Sequence, residues 1–201
     1  MTKPIVGAAM MMLWEQGKWT LDDPVAKHIP EFAGLKVATP NGEVSQTTPM
    51  TMRQLMSHTA GFDVNAGYAK LNLPERDKPL QAFIDKLATL PRAAQPGTDF
   101  RYGPSVDIQG YIVEQLSGQT LDVFLRTKIF EPLGMKDAGF WLPSKVDRVT
   151  SVFTDLLRPV VGSRRRAAVK NDVRSTAVLF SAVFVSSAGV HPDEGMGPNT
   201  Y

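Results

Sequence analysis

The sequence predicts a mainly helical protein, and three stretches carry that prediction. Ile5 to Trp14 is an apolar run entered at Pro4 and closed by Gly17. Leu80, Phe83, Ile84 and Leu87 have the i, i+3, i+4, i+7 spacing of an amphipathic helix. Pro104 to Gly118 opens on a proline, repeats Ile108, Ile112 and Leu116 along one face, and ends on glycine.

The first run is expected to be a core helix. Pro4 suits the first turn, where its missing N–H has no intrahelical acceptor anyway. Ile5, Ala9, Met12 and Leu13 fall on one face, and Met10 and Trp14 make the other apolar. A helix apolar all round is expected to be buried all round. A secretory leader, with Lys3 as the positive region and Ile5 to Leu13 as the apolar region, fails at its cleavage end. Trp14, Glu15 and Trp19 stand where small residues are needed. The run is also shorter than the ~20 residues that span a bilayer, and the compartment stays open.

Asp22 or Asp23 is placed to cap a helical turn beginning at Pro24 and ending before Pro30. Residues 34–49 are polar, with a turn at Pro40-Asn41-Gly42. Thr51 and Gln54 have capping-box spacing ahead of a short helix that Gly61 breaks. Residues 63–78 read as a loop with Gly67 and Pro74, and Pro91 stops the next helix. Thr120 is expected to cap a helix that turns Leu121, Phe124, Leu125 and Ile129 inward and ends in EPLGM. Beyond residue 155 the composition shifts. Arg164 to Arg166 form a basic run that reads as solvated, Val178 to Val185 reads as a strand, and the last dozen residues have turn composition.

The 201 residues suffice for one domain or a lobe of a larger one, and 43% hydrophobic with 21% charged residues is globular composition. A net charge of +2 makes no case for nucleic acid. The absence of cysteine excludes disulfides and thiolate metal sites. His28, His58 and His191 lack metal-ligand spacing and read as structural.

There is no G-x-S-x-G, no H-E-x-x-H and no phosphate-binding glycine loop, and no serine stands three residues before a lysine. Taken together and in order, LDDPV, TMRQLMSHTAGF, PGTDFRYGPSVDIQGYIVEQLSGQTL and IFEPLGMKDAGF resemble the serine beta-lactamase-related hydrolases. Within these they are most similar to class C beta-lactamase-like esterases, kin of D-alanyl-D-alanine carboxypeptidases. The resemblance runs from Met1 to about Val149.

The family's nucleophile lies in S-x-x-K at the start of a buried central helix, often written S-M-T-K in this branch. The chain begins M-T-K, so the resemblance assigns Lys3 to the motif lysine and places the serine immediately before Met1. One helical turn puts residues three apart on the same face, so such a lysine holds its amine by the hydroxyl. The base activates a weak nucleophile, and the acyl-enzyme splits one hard step into two.

The second family box is a tyrosine followed two residues later by asparagine. Tyr102 matches the tyrosine, whose implied role is general base or proton relay beside the lysine. Without the resemblance it reads as a half-buried loop aromatic. Pro104 replaces the asparagine that orients substrate, Ser105 is the candidate substitute, and the departure points to an esterase-like branch. The third box, K-T-G or H-x-G, is not found, since His191-Pro192-Asp193 does not fit it.

The resulting fold class is a mainly α fragment of an α/β beta-lactamase/transpeptidase-like fold: the central helix and helical domain, with most sheet strands missing. Residues 1–150 form the partial domain, and 151–201 a divergent tail expected to pack poorly against it, as a reading-frame slip or fusion would produce. The implied chemistry is cleavage of a small-molecule ester or amide through an acyl-serine, with no cofactor, metal or nucleic acid. The chain itself is expected to be inactive; the alternative is a non-catalytic remnant or ligand-binding pseudoenzyme fragment. Apolar surface left bare by missing strands is expected to promote non-specific self-association.

Overall fold

A computed structural model describes residues 2–63, 79–136 and 138–140. The loop expected at 64–78, the strand at Val178–Val185, His191 and the tail lie outside the described residues.

Helix α1 spans Thr2–Glu15. It ends in a left-handed glycine: Gly17 has φ +69°, its N–H donates to the Trp14 carbonyl, and the Lys18 N–H to that of Leu13. These bonds satisfy carbonyls that the helix leaves without partners. Val6, Ala9, Met10 and Leu13 are buried, whereas Met11 and Trp14 are 40% and 42% exposed. The expectation of a helix buried all round is therefore corrected. A helix packed on one side buries one face, however apolar the other is. Trp19, almost wholly buried, donates its indole N–H to the Met10 carbonyl at 2.9 Å and ties the following turn back to the helix.

Two 3₁₀ turns follow, Val25–Lys27 and Pro30–Phe32. Neither aspartate caps the first; Pro24 holds the cap position without a side-chain bond. Asp23 instead accepts the Thr20 N–H at 2.9 Å and the Lys27 ammonium at 3.0 Å. Strands β1 (Lys36–Thr39) and β2 (Gly42–Ser45) pair antiparallel across the Pro40-Asn41 turn, with Lys36 opposite Ser45 and Thr39 opposite Gly42. Arg92 adds one parallel bridge to Val37: its N–H donates to the Lys36 carbonyl and its own carbonyl accepts from Ala38, both at 2.8 Å.

Helix α2 (Met52–Met56) carries the expected capping box. Thr51 Oγ1 accepts the Gln54 N–H, and Gln54 Oε1 accepts the Thr51 N–H. The LDDPV stretch supplies the other acceptors this helix start needs: the Met52 and Arg53 N–H groups donate to the Asp23 and Leu21 carbonyls at 2.9 and 2.7 Å.

Helix α3 (Leu80–Ala88) buries the four residues expected of it: Leu80, Phe83, Ile84 and Leu87. Helix α4 (Ser105–Ser117) starts after Pro104 and ends at Gly118, with φ +68°. Helix α5 (Leu121–Leu125) runs on into a π turn, Arg126–Phe130. Thr120 occupies its cap position but makes no capping bond; Glu114 Oε1 takes the Leu121 N–H at 2.8 Å.

The core lies where α1 packs on α4, with α2, α3 and α5 around α4. Each aliphatic side chain fully buried there contributes about 1.5–3 kcal/mol. Among the described residues no helix is long and apolar enough to cross a membrane.

Candidate active site

Two backbone segments meet at the start of α1. One is the turn after α2, Ser57 to Phe62. The other runs from Arg92 to Gly103 and leads into α4. They are joined by backbone bonds at three levels: Ala93 N–H to Gly61 O (2.9 Å), Gly97 N–H to Thr59 O (2.8 Å) and Arg101 N–H to His58 O (2.8 Å).

Glycine allows the approach at two points. Gly61 has φ +85°, and a Cβ there would lie 2.1 Å from the Ala94 carbonyl oxygen; a Cβ on Gly103 would lie 3.0 Å from that of Phe62. Arg92 reinforces the join from below. It is 1% exposed, and its guanidinium donates to the Ala60 carbonyl at 3.3 Å and to Gln46 Oε1 at 2.7 Å. Burial pushes it down to about 10, so it remains a cation at neutral pH.

This join delivers Tyr102 to Lys3. The Lys3 ammonium sits over the Tyr102 ring, 5.1 Å from its centroid. Lys3 is on the first turn of α1, and Tyr102 is 46% exposed, so a ligand can reach the phenol from solvent. The two residues assigned to successive motif boxes are thus neighbours across 99 positions of sequence.

Ser105 differs. It is 1% exposed, and its Oγ is buried without a hydrogen-bond partner among the described residues. In this conformation a substrate has no access to that hydroxyl, which gives the suggested substrate role no support. No cluster of His, Cys, Asp or Glu suited to a metal ion occurs among the described residues.

His58, which the sequence reads as structural, lies against the Lys3–Tyr102 pair. Its ring stacks on Tyr102, with centroids 5.1 Å apart and planes 18° from parallel, and meets Phe100 at 5.9 Å. Its φ is +58°, the one positive value outside glycine among the described residues. That conformation costs on the order of 1–3 kcal/mol for a side chain with a Cβ. Burial, and then the Lys3 charge, hold the imidazole below its ordinary 6.5. The sequence signal that could have found it is its place in SHTAGF, one of the stretches carrying the resemblance.

The sequence profile of the beta-lactamase family matches residues 1–191. The chain belongs to the beta-lactamase family. Esterase EstB of Burkholderia gladioli is 30% identical over 207 residues, covering 98% of this chain and 51% of that protein. The lovastatin esterase of Penicillium rubens is 31% identical over 162 residues, covering 73% of this chain and 39% of that one. Among solved structures, EstCE1, a hydrolase with promiscuous acyltransferase activity, superposes with a TM-score of 0.59 at 31% identity, over 70% of this chain and 38% of its own. The chain spans about half the length of EstB and less of the other two.

The beta-lactamase match extends the resemblance well past Val149, where the motifs alone had ended it. The fold neighbours have the beta-lactamase/transpeptidase fold, of which the described residues form a mostly helical part with one two-stranded sheet.

Proposed function

We propose that this chain supplies the lysine–tyrosine half of a serine hydrolase that cleaves small esters or amides through an acyl-serine. The observation that carries the reading is the Lys3 ammonium over the Tyr102 ring, two motif residues brought together by tertiary structure. The esterase names of the relatives support an ester substrate.

In this reading Lys3, as the free amine, takes the proton of a serine one residue ahead of Met1. The serine oxygen then attacks the carbonyl carbon, and Tyr102 relays the proton from Lys3 to the leaving group. Water attacks the acyl-serine in the second half of the cycle, with the same pair acting as base. Tetrahedral intermediates of this kind need N–H donors at the oxyanion, and losing one costs about 10²–10³-fold. The serine N–H is one donor in the family and the third-box strand gives the other, and neither motif is found in this sequence. Met11, Trp14, Leu133 and Met135, all exposed, are the apolar surface through which the fragment would self-associate.

The test is hydrolysis of a nitrophenyl acetate by this chain and by a longer protein that carries the serine and the third-box strand. This chain is expected to stay at background and the longer protein to turn over. Turnover by this chain, retained after repurification, would refute the fragment reading.

A further inference from the structure

The strained His58 is unexplained by the lysine–tyrosine chemistry. A left-handed backbone at a residue with a Cβ persists only where its surroundings hold it. Here the Arg101 N–H bonds the His58 carbonyl at 2.8 Å, and the Thr59 and Gly61 carbonyls are bonded in turn. The turn lays the imidazole flat on Tyr102 and, with Phe100, makes a row of three rings.

The ring's own hydrogen bonding sets its protonation state. His58 Nδ1 is buried and has no hydrogen-bond partner among the described residues. A neutral imidazole protonated on Nε2 leaves Nδ1 a bare acceptor, whereas the cation needs an acceptor for an N–H at both nitrogens. The stacked position therefore fits the neutral ring and does not fit the cation.

We propose that His58 is a positioning residue: its neutral ring, fixed by the left-handed turn, holds the Tyr102 phenol at the Lys3 amine and leaves that position when it takes up a proton. The role in turnover rests on the hydrolase reading above; the coupling between the three side chains does not. The charged group bearing on His58 from α1 is Lys3. On the segment leading to α4, the Arg101 guanidinium is directed to Asp63 at 3.2 Å and Asp99 at 3.3 Å. Proton uptake places an imidazolium beside the Lys3 ammonium, so both the missing acceptor and the like charge oppose it. An unfolded His58 takes its proton at about 6.5, and the folded one takes it lower. Between those two values the unfolded state binds more protons, so the contribution of His58 to stability falls as pH falls through that window and is constant above it.

The experiment is NMR of this chain with ¹³C-labelled His and Tyr rings between pH 5 and 8, Tyr102 being assigned with Tyr102→Phe. The His58 signals should titrate with a midpoint below 6.5, and the Tyr102 ring signals should move with the same midpoint. Lys3→Met should raise the midpoint. His58→Asn keeps a residue that tolerates the left-handed region but removes the ring; the Tyr102 signals should lose their pH dependence and approach those of a free tyrosine. His58→Phe restores a ring without a titrating group and should hold the Tyr102 signals at their high-pH positions throughout. Tyr102 signals identical in wild type and His58→Asn, or a midpoint unmoved by Lys3→Met, would overturn the proposal. None of these readouts needs turnover, so a failure here leaves the hydrolase reading standing, and a failure of ester hydrolysis leaves these readouts intact.

Discussion

Lys3→Met and Tyr102→Phe, each made in the longer protein that carries the motif serine, lower kcat by about 10²–10⁴-fold, the range for loss of a positioned acid or base. The expectation follows from the one geometry that joins them, an ammonium 5.1 Å from the centroid of a phenol ring that solvent can reach. Lys3→Met keeps the length and apolar character of the side chain in the first turn of α1, and Tyr102→Phe keeps the ring that His58 stacks on. Both variants should therefore keep the far-UV spectrum and unfolding midpoint of the parent. The double variant should fall little below the worse single one, because groups acting as a unit lose their joint effect with the first deletion. Steady-state kinetics on a nitrophenyl ester checks all three. A loss that appears in KM with kcat unchanged would assign the pair to ground-state binding instead.

Gly61→Ala destabilises this chain by about 3 kcal/mol or more, enough to remove much of the stability of an ordinary domain. Two effects add at that position. The backbone sits at φ +85°, which costs a residue with a Cβ on the order of 1–3 kcal/mol. The new methyl would also lie 2.1 Å from the Ala94 carbonyl oxygen, which is backbone and cannot rotate away. Relief requires the two segments to part, breaking the 2.9 Å bond from Ala93 to Gly61 and the seat of the buried Arg92 on Ala60. Urea unfolding followed by circular dichroism gives the shift in midpoint. Gly34→Ala, where a Cβ meets nothing within 4 Å and φ is not left-handed, is the control and should change little.

What could be read from the sequence was local. The Thr51–Gln54 box, the Leu80–Leu87 stripe and the Gly118 stop each depend on residues within two turns of one another, and each formed as expected. The β1–β2 hairpin was not legible beyond its turn, because β2 is exposed on both faces and shows no alternation. Asp22 or Asp23 ahead of Pro24 satisfies the capping pattern, whereas neither caps in the fold and Asp23 takes the Thr20 N–H and Lys27 instead. Burial of Arg92 ran against composition, since a cation reads as solvent-facing; two oxygen acceptors, 32 and 46 residues away, make its position tolerable. At the site, Lys3 and Tyr102 were found only through ordered motifs. No spacing rule relates positions 3 and 102. His58 shows the same limit: its partner Tyr102 lies across a tertiary join, and its left-handed backbone has no signature in residue type alone.

The most direct test of the central claim is covalent labelling by a fluorophosphonate, followed by peptide mapping, on three proteins: this chain, this chain with a serine added before Met1, and the longer protein. A fluorophosphonate reacts with an activated serine and needs the base and the oxyanion donors in place together. The expected result is stoichiometric labelling of the longer protein alone, mapped to the serine immediately before Met1 and abolished by Lys3→Met. Stoichiometric labelling of the unmodified chain, or of the longer protein at any other residue, would contradict the assignment of Lys3 and Tyr102 to the nucleophile's base.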